Sequence, residues 1–199
     1  MSAPSAHDSA HDLRDHAARS LSLLGHPFMV IPASVGAVGV LRGGDGRSAL
    51  GVAALFVAVS VTIFLGVRSG RFNDFDVSER QRRPAFYALV TAGTLALALR
   101  LRDDPEAFRA CAIAGAVLVA CGLLNRWTKA SLHTAFALYA AGLWGAWSLG
   151  TGLVALPIAA SVAWSRVRLG RHSTLEVAAG GVVGLAAALC LVLLSGTGR

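Results

Sequence analysis

Residues 177–194 read VAAGGVVGLAAALCLVLL, a run of eighteen residues without a charged side chain. A helix needs about 20 mostly apolar residues to cross a hydrocarbon core of about 30 Å, so this run is close to the length of a membrane span. In lipid, the backbone N–H and C=O groups of such a run must bond to one another, which selects a helix. The run therefore predicts a transmembrane helix near the end of the chain.

Six further apolar blocks precede this one, separated by polar connections. They cover Pro27–Leu41, Ala49–Val67, Ala85–Leu99, Ala110–Leu124, Leu132–Leu149 and Gly152–Trp164. The first and sixth blocks are short and the sixth contains Pro157, so six and seven spans both fit. Charged residues make up only 15% of the chain, against about a quarter in soluble domains. We therefore predict an all-α, polytopic transmembrane helix bundle with six or seven spans, located in the plasma membrane.

The first 25 residues are polar and lack the charged start and apolar run of a signal peptide. We predict a solvated, partly helical tail at 1–25, before a membrane domain at 26–199. His7 and His11 have the spacing of two metal ligands on one helix face, but the sequence implies no third ligand, so we predict no metal site. All three cysteines lie inside apolar blocks and lack Cys-x-x-Cys spacing, which is typical of buried small hydrophobes.

The polar connections differ in charge between the two sides of the predicted bundle. The formal net charge is +7, and no nucleic-acid-binding module accompanies it, so we expect no nucleic-acid partner. If all seven blocks span, one side holds twelve of the eighteen Lys and Arg residues, together with His133 and His172. Cytoplasmic loops are enriched in Lys and Arg, which favours a cytoplasmic position for this side. Without the candidate site residues Arg80, Arg83, Lys129 and Arg166 the balance is eight cations against six, so the outward orientation stays open.

One connection on the cation-rich side, 165–176, reads SRVRLGRHSTLE. His172 and Glu176 are four residues apart and would share one face at a helix start. A carboxylate that accepts a hydrogen bond from one imidazole nitrogen leaves the other nitrogen unprotonated, which is the arrangement of a histidine nucleophile and its orienting group. The alternative is a pair at the membrane interface that only caps a helix.

Two more connections on the same side carry groups that suit a phosphate. In 126–134, RWTKASLHT, Ser131 can cap a helix whose free N–H groups favour an anion, Lys129 adds positive charge, and His133 can donate a proton near neutral pH. In 71–84, RFNDFDVSERQRRP, Arg80 and Arg83 would share one helix face and could converge on phosphoryl oxygens. Each segment alone is equally compatible with a cap or a basic loop attracted to anionic lipid.

The segment 165–176 resembles the third motif of the type 2 phosphatidic acid phosphatase (PAP2) superfamily. That motif is Ser-Arg, five residues, His, three residues and Asp; here Ser165-Arg166, His172 and Glu176 match it, with Glu in place of Asp. Gly170 and the small residues after the acid also resemble the family's continuation. The resemblance covers roughly residues 74–184.

The other two PAP2 motifs are matched less fully. The second motif, Pro-Ser-Gly-His, corresponds to Ala130-Ser131-Leu132-His133, a form similar to a divergent bacterial and archaeal branch of the family. The first motif is a Lys, six residues and Arg-Pro. Arg83-Pro84 fits this motif, but Asp76 stands at the lysine position, which leaves Arg80 or Lys129 to supply the missing charge.

The resemblance implies a metal-independent phosphohydrolase that needs no cofactor. His172 would attack phosphorus to form a phosphohistidine, Glu176 would hold its tautomer, and His133 would protonate the leaving oxygen. The phosphoryl oxygens would be bound by Arg80, Arg83, Lys129, Ser131 and Arg166.

These expectations lead to a membrane phosphatase acting on a lipid phosphate or diphosphate. Phosphatidate, phosphatidylglycerol phosphate, isoprenyl diphosphates and polyprenyl-linked phosphates are all candidate substrates. The alternative is a non-catalytic protein that binds lipid phosphates or assembles with a partner, which the altered first motif favours. A transporter is a third possibility, but the apolar blocks lack the central charges that such a path often needs.

Overall fold

The structure, a computed structural model, describes residues 6–43, 46–71 and 83–196. All regular structure in these residues is α-helical, which confirms the all-α prediction. The helices of the described ranges are α1 (Ala6–Leu24), α2 (Pro27–Leu41), α3 (Arg47–Arg68), α4 (Arg83–Arg100), α5 (Pro105–Leu124), α6 (Leu132–Trp147), α7 (Leu149–Arg168) and α8 (Thr174–Gly196). Helices α2 to α8 correspond in order to the seven apolar blocks.

Four of these helices, α3, α5, α7 and α8, are long and apolar enough to cross a membrane. The bent pair formed by α1 and α2, with an angle of 56° between its halves, raises this number to five if it is counted as one span. Helix α6 has 16 residues, which at 1.5 Å per residue gives it a length of roughly 24 Å. The membrane character of the chain follows from these helices, whereas the predicted six or seven spans remain a prediction.

Helix α6 lies at the centre of the bundle and packs on α2, α7 and α8. Its contact with α8 is close because glycines face backbone on both helices. A Cβ added to Gly180 would lie 2.3 Å from the carbonyl oxygen of Ser131, and one added to Gly142 would lie 2.4 Å from Cα of Ala188. Small residues let membrane helices approach in this way. The spacing of α6 and α8 is therefore set by main-chain contact.

Helix α1 packs on α7, which the polar composition of the first 25 residues did not predict. Asp15 accepts a hydrogen bond of 2.8 Å from Nε of Arg168, and Ser22 Oγ lies 2.6 Å from Nη1 of Arg166. Gly25 then passes so close to α7 that an added Cβ would lie 2.3 Å from Cγ2 of Val162. These contacts bring the start of α2 to the end of the bundle where α7 ends.

Candidate active site

The polar side chains at this end of the bundle surround one pocket with about 640 Å³ of empty space. It lies among the starts of α2, α4 and α6, the middle of α3 and α5, and the α7–α8 connection. Its polar wall consists of His26, Arg83, Lys129, His133, Arg166, Arg171 and His172. Its apolar wall consists of Pro27, Phe56, Phe86, Leu118, Leu132 and Phe136. Residues from three parts of the sequence, Arg83, Lys129 with His133, and Arg166 with His172, thus line one pocket.

The imidazole of His172 is held by its Nδ1 atom. This nitrogen lies 3.1 Å from Oε2 of Glu176 and 3.1 Å from the backbone oxygen of Lys129. Both partners are acceptors, so Nδ1 must carry the hydrogen and donate it. In the neutral ring, Nε2 is then unprotonated and available as a nucleophile. The side chain is buried, with 7% of its surface exposed.

The backbone around His172 also fixes its place. Gly170 adopts a left-handed conformation with φ of 63°, which glycine enters without a steric cost. This turn ends α7 and lets the amide nitrogens of Arg171 and His172 donate to the carbonyl oxygen of Arg166, at 3.0 and 3.2 Å. The imidazole ring of His172 therefore lies directly beside the last turn of α7.

Burial and nearby positive charge keep His172 neutral. Burial in the pocket wall, and then the charges of Lys129 and Arg166, lower the pKa of His172 from 6.5 to about 4, although Glu176 opposes this effect. At neutral pH the ring is therefore in its uncharged, nucleophilic form.

Glu176 is fixed by the start of α8 as well as by His172. Its Oε2 accepts a hydrogen bond of 3.1 Å from the amide of Ser173, and its own amide donates to Ser173 Oγ at 3.2 Å. This reciprocal pair is a capping box, a common device at helix starts. The carboxylate therefore both caps α8 and accepts a hydrogen bond from the imidazole of His172.

Ser131 begins α6 as its N-cap. Its hydroxyl oxygen accepts from the amide of Thr134 at 3.4 Å and from Thr134 Oγ1 at 3.1 Å. Its amide donates to the backbone oxygen of Glu176 at 3.0 Å. Ser131 is fully buried and does not line the pocket, so its place in the described structure is beneath the site, where it joins α6 to α8.

His133, in the first turn of α6, lies in the pocket wall with 6% of its surface exposed. Its ring contacts the ring of His26 edge to face, with centroids 4.7 Å apart and planes at 88°. The two histidines that the sequence singled out, His133 and His172, therefore line the same pocket from different helices. The sequence analysis did not consider His26.

The positive charges in the pocket wall come from α4, from α7 and from the connections before α6 and α8. Arg83 at the start of α4 and Arg166 in the last turn of α7 are buried, and buried charges of this kind are costly unless they find partners. Lys129 Nζ donates to the backbone oxygen of Arg171 at 3.2 Å. Arg80, the remaining predicted phosphate ligand, lies outside the described residues, as does Asp76 at the altered position of the first motif.

The pocket wall contains two residues that were not predicted for the site, His26 and Arg171. Arg171 directly precedes His172, so its position beside the nucleophile could have been noticed. His26 lies between the polar first 25 residues and the first apolar block, on the same predicted side as the other polar connections. This position was the one sequence feature that could have indicated His26 as a site residue.

The chain is thus an all-helical protein of the membrane-spanning type, with a histidine- and arginine-lined pocket at one end of its bundle. Comparison with protein-family models, with curated proteins and with solved structures gives no match for the chain. The resemblance to the PAP2 superfamily therefore remains a prediction that rests on the motifs and on the geometry of the pocket.

Proposed function

We propose that the protein is a membrane phosphatase of the PAP2 type that removes phosphate from a lipid phosphate or diphosphate through a phosphohistidine. The observation that carries this proposal is the hydrogen bonding of His172, whose Nδ1 is held by two acceptors while its ring lines a pocket with four cationic side chains. A buried, neutral imidazole surrounded by positive charge suits attack on an anionic phosphorus centre.

The first chemical step forms the bond from His172 Nε2 to phosphorus. Phosphoryl transfer asks mainly for positioning and charge stabilisation, which Arg83, Lys129 and Arg166 supply around the phosphoryl oxygens. The bond from phosphorus to the leaving oxygen breaks, and His133 gives that oxygen a proton. Throughout, Nδ1–H of His172 donates to the carboxylate of Glu176, which stabilises the positive charge that develops on the ring.

The second step releases phosphate. A water molecule attacks the phosphohistidine and gives a proton to His133, which is then ready for the next cycle. The electrons of the phosphorus–nitrogen bond return to Nε2 of His172. No group other than the side chains of the pocket and water is required for this sequence.

An apolar cavity next to the pocket supports a lipid substrate. It contains about 490 Å³ of empty space between α2, α3, α4, α5 and α6. Three apolar side chains, Phe56, Leu118 and Phe136, line both this cavity and the polar pocket. A phosphorylated head group in the pocket would therefore have an apolar space beside it for the start of its hydrocarbon chain.

We test the proposal by measuring phosphate release from purified protein with phosphatidate, phosphatidylglycerol phosphate and isoprenyl diphosphates, each with and without a chelator. We expect release from at least one lipid, unaffected by chelator, and its loss in His172→Ala. A matched control is His16→Ala, because His16 is exposed on α1 and bonds only within that helix in the described contacts. Full activity in His172→Ala would exclude the proposed mechanism, and lipid binding without release would favour the non-catalytic alternative.

We also propose that the pocket faces the cytoplasm, since this side carries most of the Lys and Arg residues. Trp127 lies in the connection beside the pocket and is 74% exposed. A single cysteine placed there, with the native cysteines replaced, should resist a membrane-impermeant thiol reagent in intact cells and react in inverted vesicles. The opposite labelling pattern would place the pocket outside.

A further inference from the structure

The short connection from α1 to α2 enters the candidate site from outside the PAP2-like motifs. Gly25 has no room for a side chain, because an added Cβ would lie 2.3 Å from Val162 Cγ2 and 2.8 Å from the carbonyl oxygen of Leu21. The carbonyl oxygen of His26 accepts from the amides of Met29 and Val30 at 2.8 and 3.0 Å. The backbone of His26 is therefore fixed between α7 and the first turn of α2.

From this position the side chain of His26 reaches the pocket wall and the ring of His133. The rings meet edge to face, at a centroid distance of 4.7 Å and an angle of 88°, a geometry that aromatic pairs prefer. Because His133 is nearly fully buried, the edge of a second ring against it restricts how its own ring can turn. His133 is the group that must meet the leaving oxygen.

A second contact from the same part of the chain reaches another site residue. Ser22, one turn before His26, lies on the last turn of α7 with its Oγ 2.6 Å from Nη1 of Arg166. The ion pair of Asp15 with Arg168 anchors α1 about two turns before Ser22. The N-terminal helix and the connection after it thus contact two separate pocket residues, Arg166 on α7 and His133 on α6.

We propose that His26 is a positioning residue of the phosphatase site, which holds the ring of His133 in the orientation needed for proton transfer by ring-to-ring contact. This inference rests on the proposed function, since it concerns how that site is assembled. It implies that the reacting group on α6 depends on a residue that precedes the first apolar block.

The experiment compares His26→Ala, His26→Asn and His26→Phe with the wild type, using kcat and KM for the lipid phosphate that the wild type hydrolyses best. A misplacement of about 1 Å can cost about 100-fold in rate, so we expect His26→Ala and His26→Asn to lose roughly 10- to 100-fold in kcat, with little change in KM. His26→Phe keeps a flat ring against His133 and should stay within about 5-fold of the wild type. His16→Ala is the matched control and should behave as wild type.

Two results would overturn the inference. If His26→Phe is as inactive as His26→Ala while both stay folded, the nitrogens of His26 act on the substrate or its protons and ring contact is not its role. If His26→Ala keeps full kcat, His26 has no role in the site. Thermal unfolding of each variant in detergent separates a loss of fold from a loss of positioning.

A measurement independent of turnover keeps the inference testable even if the protein releases no phosphate. Imidazole NMR spectra, assigned with His133→Asn, report the tautomer and mobility of the His133 ring. We expect a single, narrow set of His133 signals in the wild type and in His26→Phe, and broadened or doubled signals in His26→Ala. Unchanged narrow signals in His26→Ala would overturn the positioning role, whatever the enzymatic activity.

Discussion

Replacing Glu176 by Gln tests the orientation of the proposed nucleophile. The carboxylate oxygen lies 3.1 Å from Nδ1 of His172 and 3.1 Å from the amide of Ser173, so it accepts two hydrogen bonds from one side. A glutamine oxygen in this place could accept both bonds, but the flipped amide would present NH₂ hydrogens to Nδ1 and favour the other tautomer of His172. The amide also carries no charge to balance the developing imidazolium. In serine proteases the corresponding Asp-to-Asn change costs about 10⁴-fold in kcat because the histidine adopts the wrong tautomer. We expect a loss of roughly 10²- to 10⁴-fold for Glu176→Gln.

The pH dependence of this variant distinguishes orientation from protonation. Burial and the neighbouring cations already lower the pKa of His172 to about 4, and Glu176 is the group that opposes them. Removing the negative charge therefore lowers the pKa of His172 further, so the ring stays neutral at every pH above about 4. The lost activity should not return on raising the pH from 6 to 9.

The assay is phosphate release across that pH range, with Glu176→Asp as the matched control. The aspartate variant restores the residue type of the PAP2 motif and keeps the charge, so it should retain more activity than Glu176→Gln. Recovery of Glu176→Gln at high pH would refute the reasoning, since the loss would then come from a group that is protonated at pH 6 and not from the tautomer of His172. Equal activity of Glu176→Gln and wild type would remove Glu176 from the mechanism.

Two further predictions concern packing and stability. Gly180→Leu should destabilise the protein by about 1–3 kcal/mol or more, because its Cβ would lie 2.3 Å from a backbone oxygen of Ser131. Thermal unfolding in detergent measures this change. The control is Gly181→Ala, whose added Cβ meets only a side chain at 3.9 Å, and it should behave as wild type. The lowered pKa of His172 means that the unfolded state binds more protons than the folded state between pH 6.5 and about 4. Wild-type stability should therefore fall over this interval as the pH falls, and His172→Asn should show a smaller fall; an equal fall in both proteins would assign the effect to other groups.

The helices were predictable from the sequence because membrane helices consist of long, mostly apolar runs of residues. The block Pro27–Leu41 corresponds residue for residue to α2, and Ser131 begins α6 as a capping residue should. The four-residue spacing of His172 and Glu176 placed both groups on one helix start, as expected. These predictions depended only on the spacing of residues, and on hydrogen bonds, within short segments of the chain.

What the sequence did not predict depends on contacts between distant segments. The polar pattern of the first 25 residues gave no sign that α1 packs on α7, since its partners are single polar contacts such as Ser22 with Arg166. For the same reason the contact of His26 with His133 could not be foreseen. The number of spans also stayed open, because the first and sixth apolar blocks are short and the sixth contains Pro157.

The backbone hydrogen bond from Ser131 to Glu176 has a consequence for the range of head groups that the pocket can take. This hydrogen bond, 3.0 Å long, joins the first turns of α6 and α8. Gly180 packs directly against the backbone of Ser131, so the two helices have no space between them at this point. Arg83, in contrast, arrives on α4, which packs mainly on α5. Under the proposed function, a bulkier head group would thus be accommodated by displacement of Arg83, while the imidazoles of His133 and His172 keep their separation.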